Sequence, residues 1–266
     1  MSNRQERRRA ERDAKKTPQQ FEMTISILQP WSVPVLHTKL PPEILNLMIE
    51  LTDKIINDKQ SVSHGKRLAG QIDTELLVPH ELLKQFGVMN FFTDIARQFI
   101  RTARLQNHPT DTKSVLSEEI FIKMLSMWIV SQQPNEYNPI HVHTECHLSS
   151  VMYLKVPKWK PSLKSHRDND DGSVTFISNS SVDTEFSKPE MQIRPSVGDF
   201  FIFGAKQLHT VYPYRCEEGD PERRSVSFNA IYETDHHRKL RKDGDSTKGF
   251  GPFLAETKGQ PRLPQI

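Results

Sequence analysis

"NPIHVHTECHLSSVMYLKVP", Asn138 to Pro157, sets three histidines and a cysteine directly before an apolar, strand-like run. Its second half alternates and is rich in β-branched and aromatic residues, which marks a β-strand. Similar short runs surround it: "EEIFIKMLSMWIVSQ" before, then "GSVTFIS", "EMQIRP", "GDFFIFG", "HTVYPY" and "RRSVSFNAIYE" after. Turn formers such as Asp-Gly, Val-Gly and Pro separate them. Several short strands at this spacing predict an all-β sandwich or barrel-like jelly roll.

Two helices should precede the strands. "PPEILNLMIELTDKIINDK" carries Ile44, Leu45, Met48, Leu51 and Ile55 at helical spacing, with Pro41 and Pro42 suited to a first turn. From His80 to about Gln106, a second apolar stripe runs through Leu82, Leu83, Phe86, Met89, Phe92, Ile95 and Phe99. "FEMTISILQPWSVPVLHTKL" reads as extended chain, and "SVSHGKRLAGQIDTELLVP" as a polar connector without the glycine and Ser/Thr of a phosphate loop. The picture is a β-sandwich core with helices packed on one sheet.

The chain has 266 residues, 35% of them hydrophobic, enough for one sizeable core. Expected boundaries are a basic tail over 1–18, one domain over 19–234 and a polar extension over 235–266. Within the domain, helical support spans about 41–106 and the β core about 118–234. Met1 to Lys16 holds seven Lys/Arg against three Asp/Glu, so +4 of the net +3 lies in the tail and the remainder is near neutral. The tail is either a solvated extension or a basic arm touching nucleic acid, ribosome or another acidic partner. Two distant cysteines, Cys146 and Cys216, and no apolar leader predict a reducing, cytoplasmic location. No apolar run approaches the about 18 residues of a membrane span, which predicts a soluble chain.

The histidines suggest a metal. The stretch is placed at the start of a β-strand, whose side chains alternate, so His141 and His143 should point the same way as two ligands of one metal. H-x-H-x-x-C-H could be drawn as a zinc site, but Cys146 would then face away, and no second ligand cluster supports it. A third ligand is offered by His209, just after another apolar strand. On the following strand, Arg223, Ser225, Ser227 and Asn229 share one face. An inward arginine is costly unless it meets an anion, so this face reads as a carboxylate pocket.

The order H-x-H, a distal His, then Arg on the next strand resembles the iron(II)- and 2-oxoglutarate-dependent oxygenases, whose core is a double-stranded β-helix (a cupin-like jelly roll). More narrowly, the pattern from Trp128 to Ser149 resembles a 2-oxoglutarate oxygenase family of bacteria and their viruses. "V-x-Y-L-K-V-P" from Val151, "P-x-x-G-D-x-x-x-F" from Pro195, "H-T-V-x-P" from His209 and "R-x-S-x-S-F-N" from Arg223 continue it, over roughly Glu118 to Glu233. The resemblance implies His141, His143 and His209 as iron ligands. It implies Arg223 as the partner of the distal 2-oxoglutarate carboxylate, with Tyr153 and Ser225 assisting. His143 stands where the common triad has a carboxylate, leaving three-histidine ligation, Glu145 or a water to complete the site. The polar insertion "RCEEGDPE" also lengthens the His209–Arg223 spacing.

The implied reaction consumes Fe(II), O2 and 2-oxoglutarate, supported by ascorbate, and hydroxylates a substrate of unidentified kind. A protein or peptide side chain such as proline is favoured, because the motif order is close to that of prolyl hydroxylases. The competing reading is a non-catalytic metal-binding sandwich. If the chain is virus-encoded, its expected place is the host cytoplasm. His37, His64, His80 and His108 read as surface or capping residues, Cys146 as a small buried hydrophobe, and Trp128 and Tyr137 as core or pocket wall.

Overall fold

The computed structural model describes residues 23–28, 33–107, 112–164, 166, 169–178, 189–235 and 238. The basic tail, His108, His236, His237 and nearly all of the C-terminal extension lie outside these residues.

Eleven strands among them form two antiparallel sheets: β1 (Ile25–Leu28), β2 (Val35–Lys39), β3 (Thr74–Leu77), β4 (Ile120–Gln132), β5 (Asn138–His141), β6 (Leu148–Lys155), β7 (Val174–Ile177), β8 (Glu190–Ile193), β9 (Asp199–Gly204), β10 (Leu208–Val211) and β11 (Arg223–Thr234). The larger sheet runs β1-β2-β9-β6-β11-β4-β3 and the smaller β5-β10-β7-β8. From β4 onward the chain passes back and forth between them, which is the winding of a double-stranded β-helix, the expected jelly roll. β4 and β11 form its longest pairing, in register from Arg223↔Gln132 to Thr234↔Ile120 with one irregularity at Asn229/Ala230.

Alternation gives each strand of the larger sheet two jobs. On β9, Phe200 and Ile202 pack into the core shared with the helices, whereas Phe201 and Phe203 join the cluster between the sheets with Val35, Tyr153, Val174, Phe176 and Val211. On β11, Val226, Phe228 and Ala230 face the helices. Arg223, Ser225 and Ser227, on the opposite parity, are buried polar groups. The helices are α1 (Pro42–Ile56), α2 (His80–Gln85), α3 (Met89–Asn107) and α4 (Thr112–Ser117). α1 begins with proline at its first position and buries Ile44, Met48, Leu51 and Ile55, the expected stripe.

Three local readings change. The apolar stripe after His80 is two helices, because Gly87 at φ +72° turns the chain left-handed. Its N–H bonds Lys84 O and the Val88 N–H bonds Leu83 O, the double closure of a helix C-terminus. The polar connector ends in a strand, β3, which pairs with β4 in spite of its charged residue. And the histidine stretch is not one strand: β5 stops at His141 and β6 begins at Leu148, so His143 lies in the intervening loop.

Arg224, facing the helices, is buried and anchors α1 to the sheet through Asp53 at 2.5 Å, its guanidinium also held by the neighbouring Glu222 at 2.7 Å. Gly87→Ala should destabilise the protein by about 1 kcal/mol, read by denaturant melts, with metal binding unchanged, since an added Cβ there meets no atom and only the left-handed φ is penalised.

Candidate metal and co-substrate site

β5 and β10 pair so that His141 stands directly opposite His209, and His209 in turn opposes Phe176 on β7. His143 joins them from the loop, held by its backbone N–H on Ala205 O at 2.8 Å. The fold, not strand alternation, brings His143 to the same side as His141. Ligand atoms of the three histidines lie within 4.8 Å of one another, the single group of this kind among the described residues. Glu145, exposed and at φ +58°, and the buried Cys146 stand outside it.

The protons of two rings are fixed by their surroundings. His141 Nδ1 lies 2.7 Å from Pro139 O and His209 Nδ1 2.9 Å from Gln207 O. A carbonyl can only accept, so each Nδ1 carries the hydrogen and each Nε2 presents its lone pair. His143 Nε2 and His209 Nε2 stand 3.3 Å apart. Two nitrogens bound at right angles about 2.1 Å from one ion would be about 3.0 Å apart, so this spacing suits a shared metal. Burial lowers the pKa of all three: it is the largest cause for each, and it takes His143 to about 3, with positive charge on His141 and Lys206 adding to it. The imidazoles are neutral at physiological pH, the state a metal requires.

Arg223 opens β11 at 1% exposure, opposite Gln132 of β4. One guanidinium nitrogen donates to Gly172 O at 2.7 Å and another to Gln132 Oε1. Among the described residues its Nε–H is buried without a partner, as is the hydroxyl of the fully buried Tyr153, whose ring lies 5.6 Å from the guanidinium carbon. Among the described residues no carboxylate pairs with Arg223. Tyr153 sits in register with Ser225, so Arg223, Tyr153 and Ser225 are neighbours on the inner face. Two orphaned donors, one cationic, in a dry interior fit a carboxylate ligand. Three neutral nitrogens fit a divalent transition ion. The residues present therefore suit both iron(II) and 2-oxoglutarate.

Other expected residues fall as follows. His37 pairs with Asp199 at 2.8 Å and stacks on Phe201, and His64 lies against Trp128, so neither is a plain surface residue. Trp128 is pocket wall as well as core, its ring 6.0 Å from that of His143. Gln132, which orients Arg223, and Glu75 on β3 have no counterpart in the sequence reading. Glu75 is 2% exposed, its Oε2 has no hydrogen-bond partner, and burial followed by the nearby Glu136 raises its pKa to about 7. The one signal for it was an acidic residue inside "DTELLV", a strand-like fragment in polar surroundings.

Residues 126–229 match the family model described as "Putative 2OG-Fe(II) oxygenase". No curated protein matches the chain in sequence. Among solved structures, the chain is similar to a prolyl-4-hydroxylase from Pseudomonas putida, at 16% identity and TM-score 0.41, over 73% of this chain and 91% of that one. It is similar also to the viral collagen prolyl hydroxylase of Paramecium bursaria Chlorella virus-1, at 13% and 0.39, over 73% and 94%. The non-heme α-ketoglutarate-dependent epimerase SnoN of nogalamycin biosynthesis is a third, at 13% and 0.42, over 75% and 79%.

Because a carboxylate with a raised pKa stabilises the fold only while protonated, Glu75 should cost stability as pH rises from 4.5 through about 7. Glu75→Gln should thus match wild type in thermal melts near pH 4.5 and exceed it at pH 8. The matched stretch, residues 126–229, contains His141, His143, His209, Arg223, Tyr153 and Ser225, and over it the chain is similar to the iron(II)- and 2-oxoglutarate-dependent oxygenases.

Proposed function

We propose that the protein is a cytoplasmic hydroxylase in which His141, His143 and His209 hold iron(II), and Arg223, Tyr153 and Ser225 hold the distal carboxylate of 2-oxoglutarate. The observation that carries this reading is the pairing, inside one sandwich, of three converging neutral histidines with two buried donors that lack an acceptor. With O2 as the oxidant, bound iron(II) and 2-oxoglutarate would supply oxidative decarboxylation to succinate and carbon dioxide, one oxygen atom going to succinate and the other to a substrate C–H bond.

The chain's own residues set the conditions for that chemistry. Pro139 O and Gln207 O hold the His141 and His209 rings in the tautomer that presents Nε2. Gln132 and Gly172 each accept from one terminal nitrogen and so fix the orientation of the guanidinium, leaving its Nε–H free for a ligand. Gly172 cannot be replaced without loss, since a Cβ there would come within 2.5 Å of the Trp159 ring. Phe176, Phe201 and Phe203 keep the inter-sheet space dry, which strengthens the charge interactions inside it. A protein or peptide side chain, proline among the candidates, is the proposed substrate, on the strength of the motif order.

With Fe(II), 2-oxoglutarate and O2, the purified protein should form succinate, and His209→Ala should abolish it along with iron binding. Arg223→Lys should raise the KM for 2-oxoglutarate roughly 10- to 100-fold, the cost of one or two charge-assisted hydrogen bonds. Stoichiometric metal binding with no succinate would instead make the sandwich a non-catalytic metal module.

A further inference from the structure

Of the two buried carboxylates among the described residues, Asp199 is paired with His37 and Lys39, whereas Glu75 has no ion pair and no part in the site chemistry above. We propose that Glu75 anchors a cationic group of the substrate, a protonated amine or a guanidinium, held beside Trp128 next to the metal centre. This rests on the oxygenase reading and names the substrate class for it.

The register places Glu75 on the inner face. It pairs with Val130 of β4, Val130 pairs with Ser225 of β11, and Ser225 pairs with Tyr153 of β6. Glu75 thus stands in the same row as the proposed co-substrate residues, two strand spacings, about 10 Å, from Ser225. The next inward row holds Leu77 opposite Trp128, whose ring lies between 5 and 7 Å from those of His143 (6.0 Å) and His64 (5.5 Å). Glu75 is therefore one row along the inner face from Trp128, which itself neighbours His143, and an indole nearby favours a cation.

The carboxylate is built to stay there without a partner of its own. Gly65 and Gly70 pass so close that an added Cβ would come to 3.2 Å from Oε2 and 2.8 Å from Oε1. The same Cβ at Gly70 would lie 2.7 Å from the Asn138 side-chain oxygen, so an amide sits beside the carboxylate as a second acceptor. These two glycines let the backbone pack directly against the Glu75 carboxylate on their side. A structural carboxylate in this protein looks different: buried Asp199 is met by His37, Lys39 and the Ser196 N–H. Glu75 has no ion pair among the described residues, and its Oε2 accepts nothing.

The missing partner is an organic cation rather than a second metal. The nearest acid, Glu136, already accepts from the Asp73 and Gln133 N–H groups at 2.9 and 2.7 Å. The histidine group is the single three-ligand cluster among the described residues. A donor-rich, delocalised cation gains from the carboxylate, the amide and the indole together, and leaving Glu75 unmet would cost the desolvation that its raised pKa records.

The test measures binding by calorimetry to full-length protein holding zinc(II) and 2-oxoglutarate. The probes are N-acetyl-lysine methylamide and N-acetyl-arginine methylamide, with the norleucine and citrulline analogues as uncharged counterparts. Wild type should bind one or both basic probes at least about tenfold more tightly than their counterparts. Glu75→Gln should abolish that preference without weakening the uncharged probes, and Glu75→Asp should retain part of it. Equal binding of charged and uncharged probes by wild type, a measurement that needs no variant, would overturn the proposal, as would an unchanged preference in Glu75→Gln. Succinate formation by wild type alone is scored separately: its absence removes the oxygenase reading, whereas a charge preference that depends on Glu75 stands or falls by itself.

Discussion

A guanidinium buried between two sheets, with no carboxylate among the described residues to meet it, is the constraint on which the rest of this molecule turns. Arg223 is held by neutral acceptors, Gln132 Oε1 and Gly172 O, and its Nε–H and the neighbouring Tyr153 hydroxyl are left over. Removing a charge from water at such a position is costly, and a fold retains it when a ligand repays the cost. The sandwich supplies the rigidity for this. β11 is clamped between β4 and β6, and its opposite face is packed against the helices through Val226, Phe228 and Ala230, with Arg224 bonded to α1. The position of Arg223 is therefore set by a strand paired on both sides and packed against the helices.

The metal half of the site has a different electrostatic character from the common arrangement of two histidines and a carboxylate. Iron(II), three neutral imidazoles and doubly charged 2-oxoglutarate sum to zero, and Arg223 takes the total to +1. An ionised Glu75 on the same inner face returns it to zero. Burial already holds His141, His143 and His209 neutral, so a metal entering this site displaces few protons, and its binding should persist further into acid than exposed histidines would allow.

Much of this was legible in the sequence, and the exceptions share a cause. The strands that carry the β-helix announced themselves through period-two apolar runs between turn formers, and the opposed faces of β11 followed from parity alone. Local signals of that kind need no knowledge of the partner strand. What escaped was fixed by pairing between distant segments. β3 is four residues long with a charged side chain facing inward, and only its register with β4 makes it a strand. Gln132 reaches Arg223 because β4 and β11 align at that pair, 91 residues apart. His143 converges with His141 from a loop tied to Ala205, where alternation had placed both on one strand. The split of the second helix was readable at Gly87 but was masked by an apolar stripe that continues across it.

The central claim is that one sandwich presents a metal and a carboxylate ligand to each other. Anaerobic visible absorption during titration of the Fe(II)-loaded protein with 2-oxoglutarate tests it most directly, because a metal-to-ligand charge-transfer band arises only when 2-oxoglutarate chelates the iron. The account predicts that band in wild type, saturating at one equivalent, and a much higher 2-oxoglutarate concentration to reach it in Arg223→Ala. Iron binding without the band, or a titration unchanged by loss of Arg223, would contradict it.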